Sequence, residues 1–252
     1  MRLGIFDSGV GGLTVLCALE AVAPKVDLIF VGDTLHLPYG EKTPEEVLGY
    51  GREILGFFEE EGVDGVVIAC NTASAMALAE LEKERSLPLF GVIGPAVKEI
   101  LRGRERDVLL LATQGTINTG AYEKELRKRG AEVCLHGMGL PELVLAIQEG
   151  RRDEALAIAR EAIETAPYHE AVVLGCTHFP IIAEELSKHL GEGVRLIDPS
   201  EEVAREVLAH FKTLEGEGRR EFYATSEPEK FSKVAEEFLG REIEARRLSF
   251  HK

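Results

Sequence analysis

Basic residues are scarce in this sequence. Its 252 residues include 29 lysines and arginines against 44 aspartates and glutamates, which gives a formal net charge of −15. General binding to nucleic acid or to an anionic membrane surface needs a basic face, so the composition argues against both kinds of partner. If the substrate is itself an anion, local hydrogen-bond donors must hold it, because the overall field repels it.

Long apolar runs are also absent. No stretch approaches about 18 consecutive apolar residues, which argues against a membrane-spanning helix. The first residues, MRLGIFDSG, lack the apolar region and cleavage pattern of a signal peptide. We therefore expect a cytoplasmic protein in which Cys17, Cys70, Cys134 and Cys176 stay reduced. There is no C-x-x-C pair, so the sequence predicts no metal site.

Nucleotide-binding motifs are also absent from the sequence. Gly9, Gly11 and Gly12 lie close together, but they form no G-x-G-x-x-G pattern, and no Gly-Lys precedes a serine or threonine. We interpret these glycines as close backbone packing at a turn.

Short apolar runs alternate with amphipathic stretches along most of the chain. Strand patterns cover residues 2–6, 27–32, 64–69, 88–93, 107–112, 131–136, 170–175, 194–198 and 220–225, with a further candidate at 242–248. Helical patterns cover residues 12–22, 44–61, 72–86, 119–129, 140–149, 152–166, 179–190, 200–212 and 227–239. This alternation predicts an α/β fold of parallel sheets with helices on both faces.

Residues that directly follow strands matter most, because such sheets bind ligands beyond the carboxyl ends of their strands. Asp7 precedes Cys70 by 63 positions, Thr113 precedes Cys176 by the same 63, and the two units are offset by 106. Each unit ends its third strand on a cysteine. We therefore predict an internal duplication, with two similar parallel-sheet α/β domains that face one another across a central cleft.

The predicted domains are discontinuous in sequence. Residues 1–94 together with 206–252 form the first α/β domain, and residues 95–205 form the second. The chain crosses between them near Gly94-Pro95 and returns after Asp198-Pro199. The C-terminal segment of about 50 residues is predicted to rejoin the sheet of the first domain.

Two of the four cysteines occupy unusual positions. A cysteine beside a strand is usually a small buried hydrophobe, and Cys17 and Cys134 fit that interpretation. Cys70, in VVIACNTASA, and Cys176, in VVLGCTHFPI, instead lie where a strand ends and a helix begins. The N–H groups of a helix start can lower a thiol pKa toward neutrality. Both positions therefore suit proton-transfer chemistry.

Several functions could use such cysteines. Cys176 with His178 could form the nucleophile of a hydrolase, but Cys70 would then have no role. Two thiols from facing domains could instead flank one substrate carbon, so that one removes a proton from one face while the other supplies a proton to the opposite face. A non-catalytic two-domain module that closes around an anion is the third possibility, although it has no use for a thiol pair.

Five segments, taken together and in order, carry a family resemblance. They are GIFDSGVGGLTV (4–15), GDTLHLPYG (32–40), ACNTASA (69–75), LATQGT (111–116) and LGCTHFP (174–180). They resemble bacterial glutamate racemases, of the cofactor-independent aspartate/glutamate racemase superfamily. The resemblance implies a homodimeric enzyme that interconverts L- and D-glutamate without pyridoxal phosphate or metal, supplying D-glutamate for peptidoglycan. A racemase or isomerase of another small dicarboxylate, such as aspartate, is the alternative.

The same resemblance implies roles for individual residues. Cys70 and Cys176 would be the acid–base pair, with Asp7 assisting the first thiol and His178 the second. The substrate-binding residues that it implies are Asp7, Ser8, Pro38, Tyr39, Gly40, Cys70, Asn71, Thr72, Thr116, Cys176, Thr177 and His178. Most of these are neutral donors, and N–H groups at helix starts can bind a carboxylate without a cation. Simpler roles are a helix cap for Asp7 and a turn hydrogen bond for His178.

The chain departs from the family pattern at two places. Leu35-His36 stands where the family often has Ala-Arg. A family glutamate near the second histidine falls on Gln148, with Glu149 beside it. The sequence therefore assigns no catalytic role to Gln148 or Glu149.

Overall fold

The computed structural model describes residues 1–250 apart from 212 and 214. Its strands are β1 Arg2–Asp7, β2 Asp27–Gly32, β3 Gly65–Ile68, β4 Leu89–Phe90, β5 Asp107–Ala112, β6 Cys134–Gly139, β7 Ala171–Gly175, β8 Arg195–Ile197, β9 Arg220–Ala224 and β10 Ala245–Arg247. Its α-helices are α1 Leu13–Val22, α2 Pro44–Glu60, α3 Asn71–Met76, α4 Leu78–Glu84, α5 Ile93–Arg102, α6 Gln114–Thr119, α7 Ala121–Lys128, α8 Pro141–Gln148, α9 Arg152–Thr165, α10 Ala183–Ser187, α11 Ser200–His210 and α12 Pro228–Leu239. The predicted α/β alternation is confirmed.

The strands form two parallel sheets. The larger sheet has the order β10-β9-β2-β1-β3-β4, and the smaller has the order β6-β5-β7-β8. Four strands of the larger sheet, β2-β1-β3-β4, therefore have the same relative order as the four strands of the smaller sheet: in each set, the second strand along the chain lies at one edge, followed by the first, third and fourth. This confirms two similar parallel-sheet domains. Strands β9 and β10 extend the larger sheet beside β2, so the C-terminal segment returns to the first domain as predicted.

The central strands are apolar because helices cover both of their faces. Residues 65–68 of β3 and 171–175 of β7 are buried throughout, which is the pattern expected of a doubly covered parallel sheet. Helix α2 begins with a capping box, in which Thr43 accepts from the Glu46 N–H, and Pro44 occupies the first turn. Among the residues that the structure describes, no helix is both long and apolar enough to cross a membrane.

Helix α5 is absent from the sequence prediction. The strand expected at 88–93 covers only Leu89–Phe90, and the chain enters α5 at Ile93. Pro95 lies in the first turn of α5, where proline is tolerated because the N–H groups there have no partner within the helix. The dipeptide Gly94-Pro95, predicted from the sequence only as a domain boundary, therefore also marks a helix start.

Several predicted bounds also shift. The helix predicted at 72–86 divides at Ala77 into α3 and α4. The helix predicted at 119–129 begins at Ala121 as α7, after the left-handed Gly120, and the short helix α6 before it was not predicted. The strand predicted at 131–136 begins later, at Cys134, after a turn through the left-handed Gly130. The helix predicted at 200–212 ends at His210, and residue 212 lies outside the described residues.

Two helices carry the chain between the sheets. Helix α5 connects β4 to β5, and α11 connects β8 to β9. Glu202 of α11 is buried and forms ion pairs with Lys98 and Arg102 of α5 at 2.5 and 2.6 Å. Burial opposes ionisation, but hydrogen bonds from the surrounding cations outweigh it and lower the Glu202 pKa to about 2. We propose that the domain boundaries, predicted at 94/95 and 205/206, lie within these two helices.

Candidate active site

A small cavity of about 20 Å³ lies where the carboxyl ends of the two sheets meet. It is lined by Ser8, Leu37, Pro38, Tyr39, Gly40, Cys70, Asn71, Thr72, Thr113, Val144, Gln148, Cys176, Thr177 and His178. Residues 8–72 of this set follow strands of the larger sheet, and residues 113–178 follow strands of the smaller one. The two domains therefore share the cavity.

The cavity is closed in this structure. Its volume is enough for about one water molecule and is far smaller than an amino acid, so the two faces must separate before a substrate can bind. A larger, more open groove of about 730 Å³ adjoins it and includes Val10 and Gln148. That groove contains neither Cys70 nor Cys176, so we place the chemistry in the smaller cavity.

Cys70 follows β3 and is the N-cap residue of α3. Its Sγ lies 3.6 Å from the Ser8 Oγ. Burial, and then the nearby Asp7 carboxylate, raise the pKa of the Cys70 thiol to about 11, while the N–H groups of Ala73 and Thr72 lower it. The helix-start N–H groups act in the direction expected from the sequence, but burial outweighs them in the closed cleft.

Cys176 occupies the matching place after β7. Its Sγ lies 3.7 Å from Nδ1 of His178. Burial raises the pKa of the Cys176 thiol, the N–H groups of His178 and Phe179 lower it, and negative charge on Cys70 and Asp7 would raise it further. The two thiols are therefore close enough for the charge of one to affect the other.

Asp7 lies at the end of β1, behind the cavity wall, and is fully buried. Its carboxylate accepts a hydrogen bond from the Gly9 N–H at 3.0 Å and another from the Thr177 hydroxyl, in the second domain, at 3.1 Å. Burial raises the pKa of Asp7 to about 6, although these hydrogen bonds oppose the shift. A carboxyl group that titrates near neutrality can both accept and return a proton.

His178 is buried, and burial lowers its pKa to about 4, so the imidazole is neutral at pH 7. Its Nε2 lies 3.4 Å from Nε2 of Gln148. We assign the Gln148 amide nitrogen as the donor and the His178 Nε2 as the acceptor, which places the ring hydrogen on Nδ1. That hydrogen faces the Cys176 sulfur. Gln148 therefore sets the tautomer in which His178 donates to Cys176.

Neutral donors surround the cavity. The hydroxyl oxygens of Thr72, Thr113 and Thr116 form a cluster with separations of 2.9 to 3.3 Å. Asn71 accepts from the Tyr122 hydroxyl at 2.6 Å through its amide oxygen, which leaves its amide nitrogen for a ligand. Among the described residues that line the cavity there is no arginine or lysine. An anion bound here would be held by hydrogen bonds without a neighbouring cation, as expected from the sequence.

A buried network holds the Pro38–Gly40 wall of the cavity. The Asp33 carboxylate accepts from the Tyr39 hydroxyl at 2.5 Å and from the Thr225 hydroxyl at 2.7 Å. It also pairs with His36 Nδ1 at 2.9 Å. The Tyr39 hydroxyl is thus used within the protein, so Tyr39 can contact a ligand through its backbone. His36, at the position of the family arginine, takes part in this support and does not line the cavity.

Close backbone approaches join the two domain faces. A Cβ added at Gly11 would lie 2.5 Å from the Thr177 Oγ1, and one added at Gly40 would lie 2.8 Å from the Thr113 Cβ. Both separations are too short for real atoms, so each glycine is required where one face contacts the other. The interpretation of Gly11 as a site of close backbone packing is confirmed.

The structure brings the predicted site residues together. All of them line the cavity except Asp7 and Thr116, which contact its wall through Thr177 and Thr113. Their roles in binding and catalysis stay predictions. Four lining residues, Leu37, Thr113, Val144 and Gln148, lie outside the predicted binding set. Thr113 could have been included in that set, because its sequence position directly after β5, where it caps α6, already marked it as a strand-end residue.

Known proteins share this architecture over nearly their full length. The glutamate racemase of Aquifex aeolicus is 39% identical over 248 residues, which cover 97% of this chain and 96% of that protein. A crystal structure of a glutamate racemase isoform from Bacillus anthracis matches with a TM-score of 0.92 at 30% identity, covering 98% of this chain and 97% of that chain. The glutamate racemase of Francisella tularensis, crystallised in complex with D-glutamate, matches with a TM-score of 0.87 at 30% identity and covers 99% and 97% of the two chains.

The family-level match covers both cysteines of the cavity and every lining residue except Ser8. The model described as Asp/Glu/hydantoin racemase matches residues 14–207, a range that includes Cys70 and Cys176 at the ends of β3 and β7. Together with the full-length relatives, this match shows that the chain belongs to the Asp/Glu/hydantoin racemase family.

Proposed function

We propose that this chain is a cofactor-independent glutamate racemase in which Cys70 and Cys176 are the acid–base pair. The observation that carries the proposal is the position of the two thiols, each at the end of a central strand of a different sheet, in one closed cavity. A covalent hydrolase would need only one of them. An anion-binding module would need neither.

The proposed reaction is a proton exchange at the α-carbon. One cysteine, as thiolate, takes the α-proton, and the electron pair of the broken C–H bond spreads onto the α-carboxylate. The opposite cysteine, as thiol, gives its proton to the other face of the carbon and becomes the thiolate. The positive ammonium group of a bound substrate favours the thiolate, offsetting the burial that raises both thiol pKa values.

Hydrogen-bond donors around the thiols support the same proposal. Substrate carboxylates would be held by the Asn71 amide, the hydroxyls of Ser8, Thr72 and Thr116, and N–H groups at the start of α6. Such donors stabilise the negative charge that develops as the proton leaves. Because they are fixed by buried contacts within the protein, they need little reorganisation during the reaction.

Incubation with each pure enantiomer tests the proposed function. We expect L- and D-glutamate to be converted to the racemate, with aspartate turned over more slowly by at least about tenfold, since loss of one methylene changes binding by about 1–3 kcal/mol. Added pyridoxal phosphate or a chelator should leave the rate unchanged. Faster turnover of aspartate than of glutamate would mean that the substrate is another dicarboxylate. No turnover of either amino acid would favour the non-catalytic binding module.

Gly11→Ala should slow the proposed reaction without unfolding the protein. The new methyl group would push Thr177 and the first-domain loop apart, and a displacement of about 1 Å in a catalytic geometry can cost about 10²-fold in rate. Gly49→Ala is the matched control, because a Cβ at Gly49, within α2, meets nothing within 4 Å. Equal kcat/KM values for Gly11→Ala and Gly49→Ala would show that the close approach has no catalytic importance.

Gln148→Glu should change the pH dependence of kcat. A carboxylate beside the His178 Nε2 would accept a hydrogen bond from it, moving the ring hydrogen away from Cys176, and would raise the His178 pKa by about 1–3 units from its present value of about 4. In the reaction direction that uses Cys176 as base, the fall of kcat on the acid side of its pH profile should therefore occur at a higher pH. Glu149→Gln, at the exposed neighbour of Gln148, is the control. Identical profiles for Gln148→Glu and wild type would contradict the assigned tautomer.

The cellular role is a further part of the proposal. D-glutamate made by this chain would supply peptidoglycan synthesis. We propose a cytoplasmic location, because a pair of catalytic thiols requires a reducing compartment, and all four cysteines of the described chain are free. The homodimer implied by the family resemblance stays a prediction.

A further inference from the structure

A second group of reactive side chains lies at the other end of the smaller sheet. Asp107 begins β5, and Cys134 is its direct partner on the edge strand β6. His136 is two residues further along β6, so its side chain points to the same face as that of Cys134. The side-chain donors of Asp107, Cys134 and His136 all lie within 4.8 Å of one another. We call these three residues the β5–β6 cluster.

Two of the three separations within the β5–β6 cluster match those around a tetrahedral metal ion, and the third, between the Cys134 Sγ and the Asp107 carboxylate, is within 4.8 Å. The Nε2 atom of His136 lies 3.6 Å from the Cys134 Sγ and 3.5 Å from the Asp107 Oδ1. Zinc bonds of about 2.3 Å to sulfur and about 2.0–2.1 Å to nitrogen or oxygen, at tetrahedral angles, place sulfur about 3.5 Å and oxygen about 3.3 Å from the nitrogen. An ion could therefore bind to these atoms with almost no backbone movement.

The chemistry of the donors selects the kind of ion. One thiolate, one imidazole and one carboxylate suit a borderline cation such as Zn²⁺ or Co²⁺, whereas Mg²⁺ and Ca²⁺ prefer oxygen donors alone. Cys134 is exposed, so the interpretation of this cysteine as a buried hydrophobe is wrong, and Asp107 and His136 are half-exposed. An ion and a fourth, water ligand can therefore reach the site from solvent. The thiolate and the carboxylate together offset the charge of a dication.

We propose that the β5–β6 cluster is a binding site for a zinc-like divalent cation. Binding would release the thiol proton of Cys134 to solvent and would link the edge strand β6 to the central strand β5. The site is separate from the proton-transfer cavity, because Asp107 and Thr113 stand at opposite ends of β5, about 20 Å apart at the usual rise per residue. Occupancy should accordingly stabilise the fold and leave racemisation unchanged. This proposal does not depend on the proposed function.

Titration of the untagged 252-residue chain with Co²⁺ tests the site. The Cys70→Ser/Cys176→Ser double variant serves as the background, so that no catalytic thiol can bind the probe. We expect thiolate-to-cobalt charge-transfer absorption that saturates at one equivalent and is displaced by Zn²⁺ but not by Mg²⁺. Adding Cys134→Ser should remove this absorption, and adding His136→Asn or Asp107→Asn should weaken Co²⁺ binding by at least about tenfold.

Cys17→Ser, which replaces the other non-catalytic cysteine, is the matched control and should keep the absorption. In a parallel measurement, Zn²⁺ should raise the Tm of the wild-type chain as its concentration increases and should not raise that of Cys134→Ser. The proposal is wrong if no absorption develops at one equivalent, or if it survives Cys134→Ser or is lost with Cys17→Ser. The cluster would then be an ordinary surface pair of His136 and Asp107 beside a cysteine.

Discussion

Replacing either Cys70 or Cys176 with serine should abolish glutamate racemisation in both directions, with a loss of at least about 10³-fold in kcat/KM. An alcohol is a far weaker acid than a thiol, so serine can neither form the base nor return the proton at a useful rate. Serine is nearly isosteric with cysteine, and each site lies at the end of a strand. Both variants should therefore fold. Rates from each pure enantiomer, followed by optical rotation, measure the effect.

Two comparisons make this result specific. Cys17→Ser should retain wild-type turnover, since Cys17 lies on α1 outside the cavity. A cysteine hydrolase that used Cys176 with His178 would tolerate Cys70→Ser, so equal losses at the two cysteines distinguish the racemase from that alternative. Near-wild-type turnover in either single variant would mean that the two-thiol mechanism is wrong.

Asp7→Asn and His178→Asn should each slow racemisation by about 10²-fold. One variant should be slowed more from L- to D-glutamate and the other more from D- to L-glutamate. We expect the larger loss of kcat in the direction where the thiol next to the substituted residue is the base, because that thiol loses its partner in proton transfer. The enantiomers have equal free energies, so kcat/KM must stay equal in the two directions for every variant. The asymmetry must therefore appear in kcat, with a matching change in KM.

The pH dependence of protein stability separates a catalytic role of Asp7 from a structural one. Its raised pKa of about 6 means that burial makes ionisation costly. Protonated Asp7 therefore contributes to the free energy of unfolding at pH values below the pKa that Asp7 has in the unfolded chain. This contribution is lost as pH rises through about 6. In Asp7→Asn the amide oxygen can accept from the Gly9 N–H and the amide NH2 can donate to the Thr177 hydroxyl oxygen, without a buried charge. It should unfold at the same or higher denaturant concentration at pH 8. Reduced stability with unchanged kcat would make Asp7 only a helix-start cap.

The fold could be predicted from the sequence at the strands that are buried along almost their whole length. The apolar runs of β1, β3, β5 and β7 are buried at both faces, so their positions were predicted to within one residue at each end. The edge strand β6 contains His136 and two glycines, Gly137 and Gly139, and has no such run. Its register depends on pairing with β5, which is a tertiary property. Helix α5 was missed because Pro95, in its first turn, resembles a break.

The site could be predicted because parallel sheets place their strand ends together. Cys70 and Cys176 were identified from that rule and from the repeated spacing, and the family resemblance added their partners. Gln148 lies at the end of α8, where no local pattern indicates contact with His178. The β5–β6 cluster was equally invisible, since Asp107 and Cys134 are 27 positions apart and become neighbours only through strand pairing.

Racemisation in deuterium oxide tests the central claim, two thiols on opposite faces of one carbon, most directly. Starting from pure L-glutamate and, separately, pure D-glutamate, early product should carry deuterium at the α-position, because its proton comes from the cysteine that had equilibrated with solvent. The remaining starting enantiomer should keep its α-protium. Mass spectrometry after chiral separation measures both. Early product that retains substantial α-protium, or substrate that loses its α-protium faster than it racemises, would contradict the matched roles of Cys70 and Cys176.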